Sequence, residues 1–240
     1  MELHFIRHGQ TNWNEEHRVQ GQSESELTEL GIQQARDLGE RIAHLEFDQV
    51  FCSSSLRTRQ TAEHVFRARD IQIEYLDALR EIYLGPWEGH LYDDIAIREP
   101  DSHRHFWQQP HLFNLAGAES FFDLQDRAVT TVASISKDFK QKKIAVVSHG
   151  ALIKSYLCYV QERPIQELWA PPLMHNCSHS IVDISYAPAD GGSAGESAGE
   201  SAGESAGESA GESDTQNNSD RTVKARIVQY ADQIIGEEKI

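Results

Sequence analysis

Two short histidine motifs hold the chemistry that this sequence offers first. Arg7-His8-Gly9-Gln10-Thr11 follows the apolar run Leu3-His4-Phe5-Ile6, and Ser148-His149-Gly150 follows Ile144-Ala145-Val146-Val147. A third run, Gln49-Val50-Phe51-Cys52, ends in Ser53-Ser54-Ser55, with Arg57 in the first turn of the helix expected next. A lone His among the twelve in this chain would more often pack or face solvent than react. Two His and two Arg at the ends of three strands are a different case. They make a cationic, donor-rich pocket for a dianionic oxyanion, to which the free N–H groups of a helix start would add. They also supply a covalent route, because an imidazole nitrogen can attack phosphorus while Arg7 and Arg57 neutralise charge spreading over the equatorial oxygens. The leaving alkoxide then needs a proton. Glu81 and Glu88, within Leu79-Arg80-Glu81-Ile82-Tyr83-Leu84-Gly85-Pro86-Trp87-Glu88-Gly89, both qualify by residue type, and spacing alone does not choose between them.

Those residues need a frame that brings strand ends together, and the hydrophobic pattern supplies one. Leu3–Ile6, Gln49–Cys52, Ile73–Leu76 and Ile144–Val147 read as strands. Between them run amphipathic helices: one from the N-cap Thr28 to about Leu45, one from about Ser55, one from Glu119 to Phe139 and one from Ala151 to Tyr159. The alternation predicts an α/β fold, a three-layer sandwich with a mostly parallel central sheet, helices on both faces and a loop-rich cap from Glu81 to Gly117. In such sheets ligands collect at the carboxyl ends of the strands. The cap aromatics Phe106, Trp107, Phe113, Phe121 and Phe122 are expected to line the pocket or fill the core beneath it. His103, His105 and His111 share no carboxylate or Cys spacing that would make a metal site.

Composition bounds the partners. Of 240 residues, 22 are Lys or Arg and 38 are Asp or Glu, a formal charge of −16. That balance argues against nucleic acid and against an anionic membrane surface. The N-terminus lacks a basic run followed by a long apolar one, and no apolar stretch approaches the ~20 residues of a membrane span. Cys52, Cys158 and Cys177 are widely spaced, so they read as free thiols of a cytoplasmic protein. Residues 190–220 stand apart: Ser-Ala-Gly-Glu repeats five times from Ser193 to Glu212. The segment holds eight acidic residues and no basic one, leaving −8 for the remainder. Its composition predicts a disordered acidic loop inserted between the strands Ser180–Tyr186 and Val223–Tyr230, within a single domain spanning 1–240.

Four motifs in order now resemble the histidine phosphatase superfamily, in its branch of bacterial phosphatases related to phosphoglycerate mutase. They are Arg7-His8-Gly9-x-Thr11-x-x-Asn14, Ser53-x-x-x-Arg57-x-x-x-Thr61-Ala62, Leu79-x-Glu81-x-x-x-Gly85-x-Trp87-Glu88-Gly89 and Ser148-His149-Gly150. The resemblance covers nearly the whole chain outside 190–220. It implies that His8 is the phosphorylated nucleophile, that Arg7, Arg57 and His149 form the phosphate pocket, and that Glu81 is the proton donor. Glu88 then belongs to a structural turn. Thr11, Asn14, Gln20, Gly21 and Gly150 are implied as further substrate-binding positions. The implied reaction is hydrolysis of small phosphorylated metabolites with no metal or other cofactor, because Arg and His side chains do the charge neutralisation; no oligomeric state is implied. A mutase would share this pocket, but in the family's mutases the segment around Glu81 reads differently, with an Arg-His-Tyr-Gly run and a longer insertion, whereas Glu81-Ile82-Tyr83-Leu84-Gly85-Pro86-Trp87-Glu88-Gly89 resembles the phosphatase branch. A non-catalytic phosphate-binding module could dispense with the nucleophile or the acid, and this chain keeps His8, Glu81 and His149.

Overall fold

The computed structural model describes residues 1–188 and 221–234. The expected alternation of strands and helices is observed: β1 (Glu2–Arg7), α1 (Asn12–Glu15), α2 (Glu29–Arg41), β2 (Gln49–Ser53), α3 (Leu56–Val65), β3 (Ile73–Leu76), α4 (Tyr92–Arg98), α5 (Pro100–Gln108), α6 (Phe121–Asp138), β4 (Lys143–Ser148), α7 (Gly150–Val160), β5 (His179–Pro188), β6 (Arg221–Tyr230) and β7 (Gln233–Ile234). The strand order is β3-β2-β4-β1-β5-β6-β7. The first four run parallel, with β4 between β1 and β2 and Arg7 in register with Ser148. β5 joins β1 antiparallel. The adjacency of β5 and β6 is the hairpin expected from the sequence. The described residues divide into two units, one of 1–184 with 225–234 and one of 185–188 with 221–224. In the smaller unit the hydroxyl of Ser185 donates to the Lys224 carbonyl. The acidic repeat expected to form a disordered loop lies outside the described residues.

Strand periodicity sorts the core into two layers. Ile6, Val50, Cys52, Ala145 and Val147 pack with Ala35, Leu38 and Ile42 of the α2 segment and with Ala62 and Val65 of α3. The alternate positions face the other way, where Phe5 meets Tyr156 of α7 at 5.2 Å between ring centroids and Phe51 meets Phe139 at 5.5 Å. Thr28 caps α2 as its type predicts, accepting from the Gly31 N–H. α2 stops at Arg41, short of Leu45, because the Arg69 guanidinium takes the carbonyls of Ile42 and Leu45 and turns the chain there.

The cap keeps its turns but also carries two helices, α4 and α5, that hydrophobic spacing did not announce. Their organising residue is Phe106, whose ring lies 5.2 Å from Phe113, 5.2 Å from Phe121 and 5.6 Å from Trp169. Such pairs contribute about 0.5–1.5 kcal/mol each beyond the area they bury. Phe113 and Phe121 are core residues, but Phe122, expected with them, is 51% exposed. The buried residues of α6 include Phe121, Leu124, Ala128, Val132 and Ile135, so its inward face begins at Phe121 and not at Phe122.

Candidate active site

The C-terminal ends of β1 and β4 lie side by side, and the His8 N–H donates to the Ser148 carbonyl at 3.0 Å. This register brings the two histidine motifs together, with ring centroids 5.4 Å apart. A cavity of about 420 Å³ opens over them, lined by Arg7, His8, Asn14, Gln20, Gly21, Arg57, Glu81 and Gly150. Thr11 and His149 are the two expected residues that do not line it. Both are buried: Thr11 caps α1, and His149 begins α7.

His8 Nδ1 lies 2.8 Å from the Gly9 carbonyl. A carbonyl can only accept, so Nδ1 carries the proton and Nε2 keeps its lone pair. Burial, followed by the charges of Arg57 and Arg7, holds the His8 pKa well below 6.5, so the ring is neutral at neutral pH. His149 is held down in the same way, by burial first and Arg57 second. Its Nε2 pairs with Ser53 Oγ at 2.8 Å, and its Nδ1 is buried without a hydrogen-bond partner.

Both arginines are fixed by backbone oxygens. Arg57 donates to the carbonyls of Ser23 and Gly21 at 2.9 and 2.7 Å, while Arg7 donates to that of Met174. Burial lowers the Arg57 pKa to about 10, which still leaves it a cation at neutral pH. The Nε of each is buried and unpartnered. His149 Nδ1 is buried and unpartnered too, although His149 does not line the cavity. The two arginine Nε groups belong to cavity-wall residues, and buried donors without partners cost free energy unless a ligand's oxygens meet them. The expectation that free N–H groups of α3 would share in the anion site is corrected at its first residue: the Leu56 N–H donates to Glu24.

Asn14 and Gln20 carry the same signal. The oxygen of Asn14 accepts from the Thr11 N–H at 3.1 Å, and that of Gln20 accepts from the hydroxyls of Thr11 and Ser25. Each amide NH₂ is thereby left as a donor on the cavity wall. Thr11 holds these two amides and does not itself line the cavity. Gly21 has φ +51°, and a Cβ there would lie 2.1 Å from Glu88 Oε1. A Cβ on Gly150 would stand 3.4 Å from Arg7 Nε.

The two carboxylates that spacing could not separate are separated by geometry. Glu81 lines the cavity, and its oxygens accept from the Ala151 and Leu152 N–H groups at 3.0 and 3.1 Å, at the positive end of α7. Glu88 is a loop staple, accepting from the N–H groups of Gln22 and Leu84 and from the Ser23 hydroxyl.

The cavity lining also includes residues the motifs did not announce, among them Trp13, Tyr92, Lys154, Trp169 and Met174, beside Phe106 and Trp107. Burial and the Glu81 charge push the Tyr92 phenol pKa up, so it remains an O–H donor. Met174 and Trp169 follow no strand-end signal; backbone contacts place them, through Arg7 to the Met174 carbonyl and Trp169 Nε1 to that of Phe106 at 2.6 Å.

Residues 3–189 match the model of the histidine phosphatase superfamily, branch 1. The chain belongs to that superfamily. A probable phosphoglycerate mutase GpmB from Salmonella choleraesuis (strain SC-B67) is 32% identical over 185 residues, covering 76% of this chain and 85% of the relative. YhfR of Bacillus stearothermophilus superposes with a TM-score of 0.75 at 39% identity, over 77% of this chain and 91% of its own. A mycobacterial glucosyl-3-phosphoglycerate phosphatase, solved with VO3, superposes with a TM-score of 0.70 at 27% identity, over 76% of this chain and 92% of its own. The expected family and α/β fold are both borne out, and with them the class of enzyme, a hydrolase of the histidine phosphatase type. Among the described residues no helix is long and apolar enough to cross a membrane.

Proposed function

We propose that the protein hydrolyses small phosphomonoesters through a phosphohistidine on His8. The observation that carries this reading is the His8 tautomer: Nδ1–H is tied to the Gly9 carbonyl, and the free Nε2 belongs to a cavity walled by Arg7 and Arg57. In the first step Nε2 attacks phosphorus and the bond to the ester oxygen breaks. The leaving alkoxide takes a proton from Glu81, while Arg7 and Arg57 hold the equatorial oxygens, the Asn14 and Gln20 amides add two donors and His149 backs the pocket beside His8. In the second step the Glu81 carboxylate removes a proton from water as its oxygen attacks phosphorus. The P–N bond breaks, freeing inorganic phosphate and restoring neutral His8. No step calls on a metal.

Residues 1–240 are read as one domain, with the acidic repeat inserted between β5 and β6, working in the cytoplasm on a small phosphorylated substrate rather than on nucleic acid. Three buried free cysteines and the family match to 3–189 support that reading. The Salmonella relative's name keeps phosphoryl transfer between positions of one substrate as the second reading. Phosphate release from phosphomonoesters, assayed without 2,3-bisphosphoglycerate, separates them. Release is the expected result, whereas isomerisation that appears only on priming would establish the mutase, and neither would leave a binding module.

Substrate preference is expected to follow the aromatic part of the cavity wall. Trp107 is partly exposed and stacks at 5.4 Å on Tyr92 and 5.2 Å on Trp169. Trp107→Ala is expected to lower kcat/KM for an aryl phosphate by about threefold to tenfold, the worth of one aromatic contact, and to leave glycerol phosphate nearly unchanged. Equal effects on both substrates would remove the wall from substrate selection.

A further inference from the structure

We propose that Arg127, locked to Glu119, is the positioning residue for the proton donor of this site; the proposal rests on the reading of Glu81 as that donor. Arg127 lies two turns into α6 and does not line the cavity. Its guanidinium uses all of its fork. Nε and Nη2 grip Glu119 at 2.9 and 2.7 Å. Nη1 donates to the carbonyls of Ala78 and Arg80 at 3.0 and 2.7 Å, and Nη2 donates to that of Glu81 at 3.2 Å.

The Arg80 and Glu81 carbonyls belong to the two peptide planes that flank the Glu81 Cα, so one cation fixes the backbone on both sides of the acid. Glu119 continues the grip at Tyr83, two residues further. Its Oε2 accepts from the Tyr83 N–H at 3.1 Å, and its own N–H donates to the Tyr83 carbonyl at 2.7 Å. Glu119 is itself fixed, because the capping box of Ser120 and Asp123 sets the start of α6 immediately after it.

The carboxylate end of Glu81 is held separately, by α7. The clamp therefore decides whether the backbone delivers that carboxyl to the leaving oxygen or a fraction of an ångström away, a displacement that acid catalysis registers steeply. A lysine cannot substitute. Its ammonium keeps the charge but has three N–H groups at one point, not five in a plane, and cannot span Glu119 and three carbonyls. Arg127 and Glu119 side chains are only 22% and 15% exposed, so solvent does not readily replace the lost contacts.

A merely structural clamp and a positioning clamp differ in how their loss depends on the leaving group. A 4-nitrophenolate leaves with little help, whereas an alkoxide needs the proton. R127K is expected to lower kcat/KM for glycerol phosphate by ~100-fold and for 4-nitrophenyl phosphate by less than about threefold. The melting temperature is followed in parallel. E81Q, measured beside it, is expected to show the same selectivity. No loss, or equal loss on both substrates, in R127K alone would overturn the positioning role and leave the acid in place. Absence of selectivity in E81Q would instead overturn the acid assignment. Should R127K not fold, E119Q is read by the same ratio of substrates: it keeps the guanidinium and weakens its anchor, so selective loss supports the clamp and an unselective one overturns it.

Discussion

His8→Ala is expected to abolish turnover, with kcat falling by on the order of 10⁴-fold or more, and to abolish acid-labile labelling of the enzyme by phosphomonoester. The expectation is specific to one of two imidazoles that lie 5.4 Å apart. Both are buried and both are neutral at neutral pH, so neither burial nor protonation state distinguishes them. What does is attachment. His8 lines the cavity with its Nδ1–H tied to a carbonyl, which leaves Nε2 to attack; His149 has Nε2 paired with Ser53 and does not line the cavity. His149→Ala is accordingly expected to slow labelling without abolishing it. The depressed His8 pKa adds a second reason for the size of the effect, since the free enzyme keeps its nucleophile deprotonated as pH falls through 6.5, where an ordinary imidazole gains a proton. Labelling that survives in His8→Ala and disappears in His149→Ala would exchange the two assignments.

Much of this site is legible in the sequence because it is built at strand ends. A run such as Ile144–Val147 is buried on both faces, and the residue after it must emerge at the carboxyl edge of the sheet. Arg7, His8 and His149 could therefore be grouped without knowing which strands are neighbours. Parallel pairing of β1 with β4 then does the rest. Asn14 and Gln20 were reachable only through motif resemblance, because their role depends on Thr11 turning both amide oxygens away, and a three-residue contact in a polar loop leaves no periodic trace. The same limit hid α4 and α5. They are short, rich in His and charge, and held by the Phe106 ring cluster rather than by their own amphipathic stripe, so tertiary contacts decided what propensity did not. Trp169 and Met174 enter the cavity on a segment fixed by backbone carbonyls, and a hydrogen bond to a carbonyl carries no side-chain signature. Net charge is silent on the site for another reason: half of the −16 belongs to residues 190–220, so it says little about a pocket made from Arg7 and Arg57.

Glu81→Gln is expected to cost on the order of 10²- to 10³-fold in kcat/KM for alkyl phosphates, and little for 4-nitrophenyl phosphate. Glutamine matches the shape of the side chain but cannot release a proton, so the loss should scale with how badly the leaving oxygen needs one. A second cost is structural and separable. The two carboxylate oxygens accept from the Ala151 and Leu152 N–H groups, and an amide offers only one acceptor, so one N–H at the start of α7 loses its partner or meets an NH₂. That should appear as about 1–3 kcal/mol of lost stability, equal for every substrate and read by thermal unfolding. Glu88→Gln provides the contrast, because Glu88 has three donors of its own but no place on the cavity wall. It should reproduce the loss of stability without the dependence on leaving group. A leaving-group dependence in Glu88→Gln that is absent from Glu81→Gln would move the acid to the other carboxylate, because the test rests on which one can reach the departing oxygen.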